Sequence, residues 1–512
     1  MSLFTKKILN TMEKYKDKVA IVNDNEYIDY KTLLNKSRSI AYELTNNIEE
    51  DDFVLIIGHK SFSLYESVLG MTLASITFIP LNTKFPINKN MSIIEKSKVK
   101  NIIVCPEAVE YFKDLQIYLN DFTIYLFKDD LNVNNKIILK LDKYTEYKEK
   151  RIKDKPLYIL FTSGTTGNPK GVVINRDNVR FYIDRILKKF KINHTDKISQ
   201  IFEITFDLSM HDIFSAFTSG ATLYIFNDKD LFNPVNFIYR NQLTIFFSVP
   251  SMILIMDKYR LLKDNILPSL RLSLFCGEPF YRFYAEKWKK SACNSEIYNL
   301  YGPTEATIAF TYYKYSNQNI KEKNGILSIG QQFDNLFLSI RDKSGKEVSE
   351  GEIWLGGNQI ARGYLYDEKL TNEKFIYTDE NGIQIKWYKT GDLGRFESNK
   401  NGLDLYFLGR LDEQVKINGY RVELPEIDSA LMKVTNAPSI VVTTLNDENQ
   451  LKIIGFVEID NLNSAQVKSE LKKLLPKYMI PNEIKTVKEI PKNSNGKFDR
   501  NTLKKMYLEN RC

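Results

Sequence analysis

The chain's 512 residues are too many for one compact core, so a large domain with at least one smaller companion is expected. Its 72 basic and 64 acidic residues leave +8, spread along lysine-bearing helix faces and not gathered into a stripe, so no nucleic-acid partner is expected. With 43% hydrophobic and 27% charged residues and no window apolar enough to span a bilayer, no membrane insertion is expected.

The N-terminus, MSLFTKKILNTMEKYKDK, mixes lysines and acids among its apolar residues and reads as an amphipathic helix, not a secretory leader. Strand-like runs then alternate with helical stretches over the first ~400 residues, the pattern of an α/β domain. The strands are FVLIIG (53–58), NIIVC (101–105), FTIYLF (122–127), ATLYIF (221–226), LTIFFSV (243–249) and LRLSLFC (270–276). Helical spacing fits Phe62–Leu73, Arg180–Phe190 and Phe280–Ser291. Residues 352–410 change character, with short strands and many Gly, Asn and Asp turns. After Arg410 a tail of roughly 100 residues is long enough to fold alone as an α+β module. The domains expected are therefore 1–410 and 411–512. The four cysteines (Cys105, Cys276, Cys293, Cys512) lack metal-ligand spacing and suit a reduced, cytoplasmic setting, and three histidines make no His-rich metal centre.

Residues 158–171, YILFTSGTTGNPKG, run from an apolar strand into a hydroxyl- and glycine-rich turn ending at Lys170. Small residues let backbone N–H groups approach phosphate, hydroxyls add donors, and a lysine offsets charge. A plain surface turn fits the same residues. The Walker spacing is not met, because Pro169 precedes the lysine and strand-like GVVI follows it, which disfavours an ordinary P-loop.

Further motifs follow in order: NLYGPTEATI (299–308), GEIWLGGNQIARGYL (351–365), YKTGDLGR (388–395), GRLDEQVKINGYRVELPEID (409–428), LPKYMIP (475–481) and NSNGKFDR (493–500). With TSGTTGNPKG, IDYKTLL (28–34) and ASITFIPLNTKFP (74–86), this set resembles the adenylate-forming superfamily over nearly the whole chain. That resemblance implies an α/β fold: a large N-terminal domain with helix-flanked β-sheets and a small barrel-like β subdomain, plus a small mobile α+β C-terminal domain. It also implies ATP and Mg2+ as cofactors. Thr162, Ser163, Gly164, Thr165, Thr166, Gly167 and Lys170 would cradle the phosphates. Asn299 and Tyr301 would hold adenine, Asp392 with Arg410 the ribose, and Gly302, Pro303 and Thr304 are further nucleotide-binding residues. Glu305 is similar to the family's metal ligand. Catalysis is implied for Lys497, Glu305 and Thr162, Lys497 neutralising charge as a carboxylate attacks the α-phosphorus. A turn cap and surface ion pair is the other reading of Asp392 and Arg410.

FDLSMHDIF (206–214) bears on the substrate. In amino-acid-activating relatives the aspartate at this point, here Asp207, pairs with the α-ammonium. A helix N-cap is the competing role. Asp212 reads as a solvated or capping acid. By the resemblance Leu208, His211, Ser248, Leu274, Cys276, Leu300, Ile308 and Ala309 would surround the substrate side chain, most of them apolar and enclosing a small cavity. His211 is either a satisfied core histidine or a contact to a polar side chain such as serine's. FDLS, LFCGE and YGPTEAT are most similar to the D-alanine–carrier-protein ligases of teichoic-acid alanylation, from which His211 and Leu300 depart. The implied reaction is aminoacyl-AMP formation, then transfer to the phosphopantetheine thiol of a carrier protein supplied in trans. Another small amino acid, such as serine or L-alanine, or an acyl-CoA ligase with CoA as acceptor, are the alternatives. Asp412 would be the hinge, and Gly419 would pass the pantetheine arm or simply make a tight turn.

Overall fold

A computed structural model describes residues 2–49, 53–119, 121–133, 135–141, 155–162, 169–380, 382–399, 402–412, 414–417, 419–446, 450–492 and 498–509. Lys497 and residues 163–168 of the glycine-rich turn thus lie outside the described residues. The chain divides into two compact units. The first contains Met1–Asn82, Ser97–Leu160 and Gly171–Leu411, and the second contains Thr83–Lys96, Phe161–Lys170 and Asp412–Cys512.

The first unit is α/β, built mainly on two large sheets. One has nine strands in the order Gln331–Gln332, Thr311–Lys314, Glu296–Tyr301, Leu272–Phe275, Ile245–Ser248, Lys197–Gln200, Thr222–Ile225, Val19–Asn23, Glu26–Asp29. From Glu296–Tyr301 through Val19–Asn23 the neighbours run parallel, with antiparallel strands at the two edges. The other has eight strands, in which Phe53–Ile57, Thr77–Leu81, Asn101–Val104 and Thr123–Leu126 pair in parallel. Parallel sheets are covered on both faces, which is why these strands read as continuous apolar runs. The region expected to be barrel-like is a five-stranded antiparallel sheet. Its 17-residue strand Ile383–Asn399 pairs with Phe375–Glu380 through its first part and with Gly402–Arg410 through its last.

Two helices matter most for the site. Arg176–Phe190 is amphipathic and buries Val179, Tyr182, Ile183, Ile186 and Phe190, as a 3.6-residue period dictates. Leu208–Ser219 is buried all round and ends at Gly220, whose φ of +79° is the left-handed cap glycine adopts without a steric penalty. A side chain there would collide with the Tyr15 ring.

In the second unit the helix Leu424–Thr435 packs on strands Ser439–Leu445 and Leu451–Glu458, with Ile427, Leu431, Val441 and Ile453 in its core. Arg500 forks onto both carboxylate oxygens of Asp428, and Asp499 caps the helix Arg500–Leu508 through the N–H groups of Asn501 and Thr502. Lys492 and Phe498 form an antiparallel bridge. No helix among the described residues is long and apolar enough to cross a membrane.

Candidate active site

Four adjacent parallel strands, Lys197–Gln200, Ile245–Ser248, Leu272–Phe275 and Glu296–Tyr301, end level with one another: Ser248 is in register with Phe275, and Phe275 with Asn299. Ligands of open α/β sheets bind beyond such carboxyl ends. Most of the sequence-expected residues of the first unit fall here. Asn299, Leu300 and Tyr301 close one strand, Leu274 and Cys276 end the next, Ser248 ends the third, and Asp207 lies in the connection after the fourth. Because side chains alternate along a strand, Ser248 shares a face with Phe275 and Asn299, whereas Leu274 lies on the other face with Phe247 and Tyr298.

The charged end of the site centres on Asp392. It is 4% exposed and accepts a 2.6 Å hydrogen bond from the Tyr301 hydroxyl, while its other oxygen pairs with the Arg410 guanidinium. Arg410 also donates to the Thr390 carbonyl at 3.3 Å. The strand register sets Asp392 directly opposite Arg410. This is an ion pair, but a buried one. Burial first, then the adjacent Asp392 charge, pushes the Tyr301 phenol well above its usual range, so it stays a donor. Asn299 is buried and its amide donates 2.9 Å to the Ser328 carbonyl.

Glu305 lies in the short 3₁₀ turn Thr304–Ala306, fully buried, and accepts from the Tyr364 hydroxyl at 2.8 Å. Its backbone carbonyl takes the Ala361 N–H at 2.9 Å. A carboxylate held this firmly beside the Gly302-Pro303-Thr304 turn suits a hard, phosphate-bound cation, which takes few protein oxygens. Gly302 has no room for a side chain: a Cβ there would sit 2.7 Å from the Ala309 Cα.

The other end surrounds His211. Asp207 precedes the helix Leu208–Ser219 but makes no capping hydrogen bond, so capping does not account for it. It is 4% exposed and stands close enough to the Tyr158 and Tyr182 phenols to push both upward, adding to their burial. Cys276 also acts on Tyr182, so these groups share one neighbourhood. The His211 Nδ1 lies 2.7 Å from the Tyr182 hydroxyl, its ring packs 4.5 Å from Phe247, and its Nε2 is buried without a hydrogen-bond partner among the described residues. Burial drives its pKa down to about 3, so the ring is neutral. His211 is thus a core histidine satisfied at one nitrogen only. Leu208, Leu274, Leu300, Ile308 and Ala309 are all buried in the same hydrophobic core.

Asp212 corrects the sequence reading. It is not solvated but fully buried, and burial pushes its carboxyl well above the usual range against the pull of the Ile201 backbone and Lys60. Tyr182, Phe247, Tyr364 and Gln359 were not anticipated. Nothing in their local spacing separates them from ordinary core residues.

In the second unit, Thr162 ends the strand Pro156–Thr162, and its hydroxyl is buried without a partner among the described residues. Lys170 begins the next strand, its ammonium 3.7 Å from Glu423. Asp412 accepts from the Gln414 N–H at 3.2 Å. Gly419, directly before the strand Tyr420–Glu423, has a φ of +81°, and that conformation alone favours glycine.

The family model described as AMP-binding enzyme matches residues 9–365, and that of the AMP-binding enzyme C-terminal domain matches residues 426–497. The chain is 30% identical to the D-alanine--D-alanyl carrier protein ligase of Bacillus licheniformis, covering 97% of this chain and 99% of that one. It is 31% identical to Zwittermicin A synthase ZmaJ of Bacillus cereus, with 98% and 94% covered. Bacitracin synthase 2 of Bacillus licheniformis is 29% identical over 96% of this chain, which spans only 18% of that synthase. Among solved structures, the Vibrio cholerae adenylation domain AlmE in complex with glycyl-adenosine-5'-phosphate aligns with a TM-score of 0.88 at 26% identity, over 99% of this chain and 98% of that one. Fold, ordered motifs and full-length relatives agree, and the chain belongs to the AMP-binding enzyme family, an adenylating ligase of the adenylate-forming superfamily.

Proposed function

We propose that this ligase uses ATP to activate a small amino acid, D-alanine first, and passes it to the phosphopantetheine thiol of a separate carrier protein. The observation that carries the amino-acid reading is Asp207: a buried carboxylate at the carboxyl ends of the parallel strands, making no helix cap. In amino-acid-activating relatives the aspartate at this point of the FDLS motif pairs with the substrate α-ammonium, and a carboxylate–ammonium hydrogen bond is among the strong, charge-assisted ones. Most of the expected pocket residues are apolar and buried, which favours a small side chain. D-alanine is supported by the full-length relative that carries that name. The unpartnered His211 Nε2 favours serine as the second reading, since a hydroxyl would satisfy it.

In this reading Asp392 and Arg410 hold the ribose and Asn299 with Tyr301 the adenine. Ser163, Gly164, Thr165, Thr166, Gly167 and Lys170 cradle the phosphates with Thr162. Glu305 would hold Mg2+, which when bound offsets charge on the polyphosphate. Lys497 draws the α-phosphate toward the attacking carboxylate, and pyrophosphate leaves. Residues 1–410 form the catalytic core and 411–512 a lid turning at Asp412, with Gly419 beside the incoming thiol. The reaction belongs in the cytoplasm, where ATP and reduced thiols are supplied. The test is amino-acid-dependent pyrophosphate exchange across glycine and both enantiomers of alanine and serine, with an acyl-CoA assay alongside. D-alanine should give the highest kcat/KM, and a preference for fatty or aryl acids with CoA as acceptor would overturn the reading.

A further inference from the structure

The residues expected to wall the substrate pocket include Ile308 and Ala309, and the backbone that presents them is strained. Thr307 and Ile308 have φ of +57° and +76°, the left-handed region that β-branched residues rarely enter. The Ala309 N–H reaches back 3.0 Å to the Thr307 carbonyl, closing a tight turn on Ile308. Such a conformation persists only where its surroundings over-determine it.

Backbone bonds from Ala306 to Pro303, Thr307 to Thr304 and Phe310 to Tyr301 frame the turn, and one side chain reaches across it. Gln359 is fully buried, and its amide nitrogen donates to the carbonyls of Ala309 at 2.8 Å, Ala306 at 3.1 Å and Thr307 at 3.3 Å. In return the Thr307 hydroxyl donates 2.6 Å to the Gln359 backbone carbonyl. The loop bearing Gln359 is itself pinned, because the Asn178 amide donates to the Asn358 and Ile360 carbonyls at 2.7 and 3.1 Å. A continuous set of hydrogen bonds therefore runs from the helix Arg176–Phe190 through Gln359 to the turn.

We infer that Gln359 is a specificity-determining positioning residue: it holds the strained 306–309 turn so that Ile308 and Ala309 limit the size of the amino-acid side chain. This rests on the amino-acid reading above for its substrate, but not for the clamp itself.

Two measurements on the full chain test it. In pyrophosphate exchange, Gln359→Leu, which keeps bulk but has no donors, should raise the D-alanine KM about tenfold and narrow the preference over leucine, while the ATP KM stays within about twofold. Equal movement of both KM values, or of neither, would overturn the proposal. In thermal unfolding, Ile308→Gly removes the left-handed strain, so Gln359→Leu should cost far less in that background than in the wild type. Additive losses would overturn the clamp. If the wild type shows no amino-acid-dependent exchange, the substrate reading falls and this thermal cycle still decides whether Gln359 holds the turn.

Discussion

Around Asp392 charges stand close together and paired, whereas around His211 the surroundings are mostly aromatic and aliphatic, with Asp207 the acid assigned to the substrate amine. The first region brings a carboxylate, a guanidinium and a phenol donor into one buried cluster. The second surrounds a histidine kept neutral by burial with aromatic and aliphatic side chains. Buried charges are tolerable only when paired and hydrogen-bonded, so the first region suits a ligand whose polar groups never change, such as a ribose. A mostly apolar lining discriminates by size and by whether every polar atom finds a partner. The contrast matches one nucleotide common to a superfamily and a side chain that differs among its members.

The largest effect is expected outside both regions. Lys497→Ala should lower amino-acid-dependent pyrophosphate exchange by about 10³-fold, the scale of removing a transition-state donor, yet largely spare thioester formation from supplied adenylate. Equal loss in both half-reactions would count against alternating use of the lid. Next, Asp392→Ala strands the Arg410 guanidinium, and breaking a buried pair costs about 3–5 kcal/mol. We expect the kcat/KM for ATP to fall at least about 100-fold, by 1.4 kcal/mol per decade, with the amino-acid KM nearly unchanged. A comparable rise in that KM would erase the division between the two regions. Asp207→Asn tests the other end: losing a buried charge partner is worth about 2 kcal/mol or more, so the amino-acid KM should rise roughly 30-fold while ATP binding holds. Unchanged amino-acid affinity would refute the ammonium contact.

The smallest effect is on stability. His211 has a folded pKa of about 3 against an ordinary 6.5, so the unfolded chain binds more protons between those values. That contribution to stability is complete above pH 6.5 and is lost as pH falls toward 3. His211→Phe should therefore reduce the drop in urea midpoint between about pH 7 and about pH 4.5. An unaltered drop would mean that His211 is not the buried neutral group described.

Much of this was legible in the sequence because the informative residues sit in ordered motifs at strand ends. Asn299, Tyr301 and Glu305 lie within seven consecutive residues, and the apolar runs marked the parallel strands directly. Asp212 was misread because one acid in a helix is usually solvated. The apolar flanks Met210, Ile213 and Phe214 were the sign that this helix is buried all round. Tyr182 and Gln359 were illegible for a different reason. Their roles depend on which distant backbone or ring they meet, His211 from 29 residues away and the 306–309 turn from about 50, and no local period encodes that.

The central claim is that a fixed carboxylate selects for an amine, and one comparison reaches it most directly: pyrophosphate exchange with D-alanine against propionate, the same acid without its amino group. The account predicts clear exchange with D-alanine, almost none with propionate, and a ratio that collapses in Asp207→Asn. Propionate turning over as well as D-alanine in the wild type would contradict it.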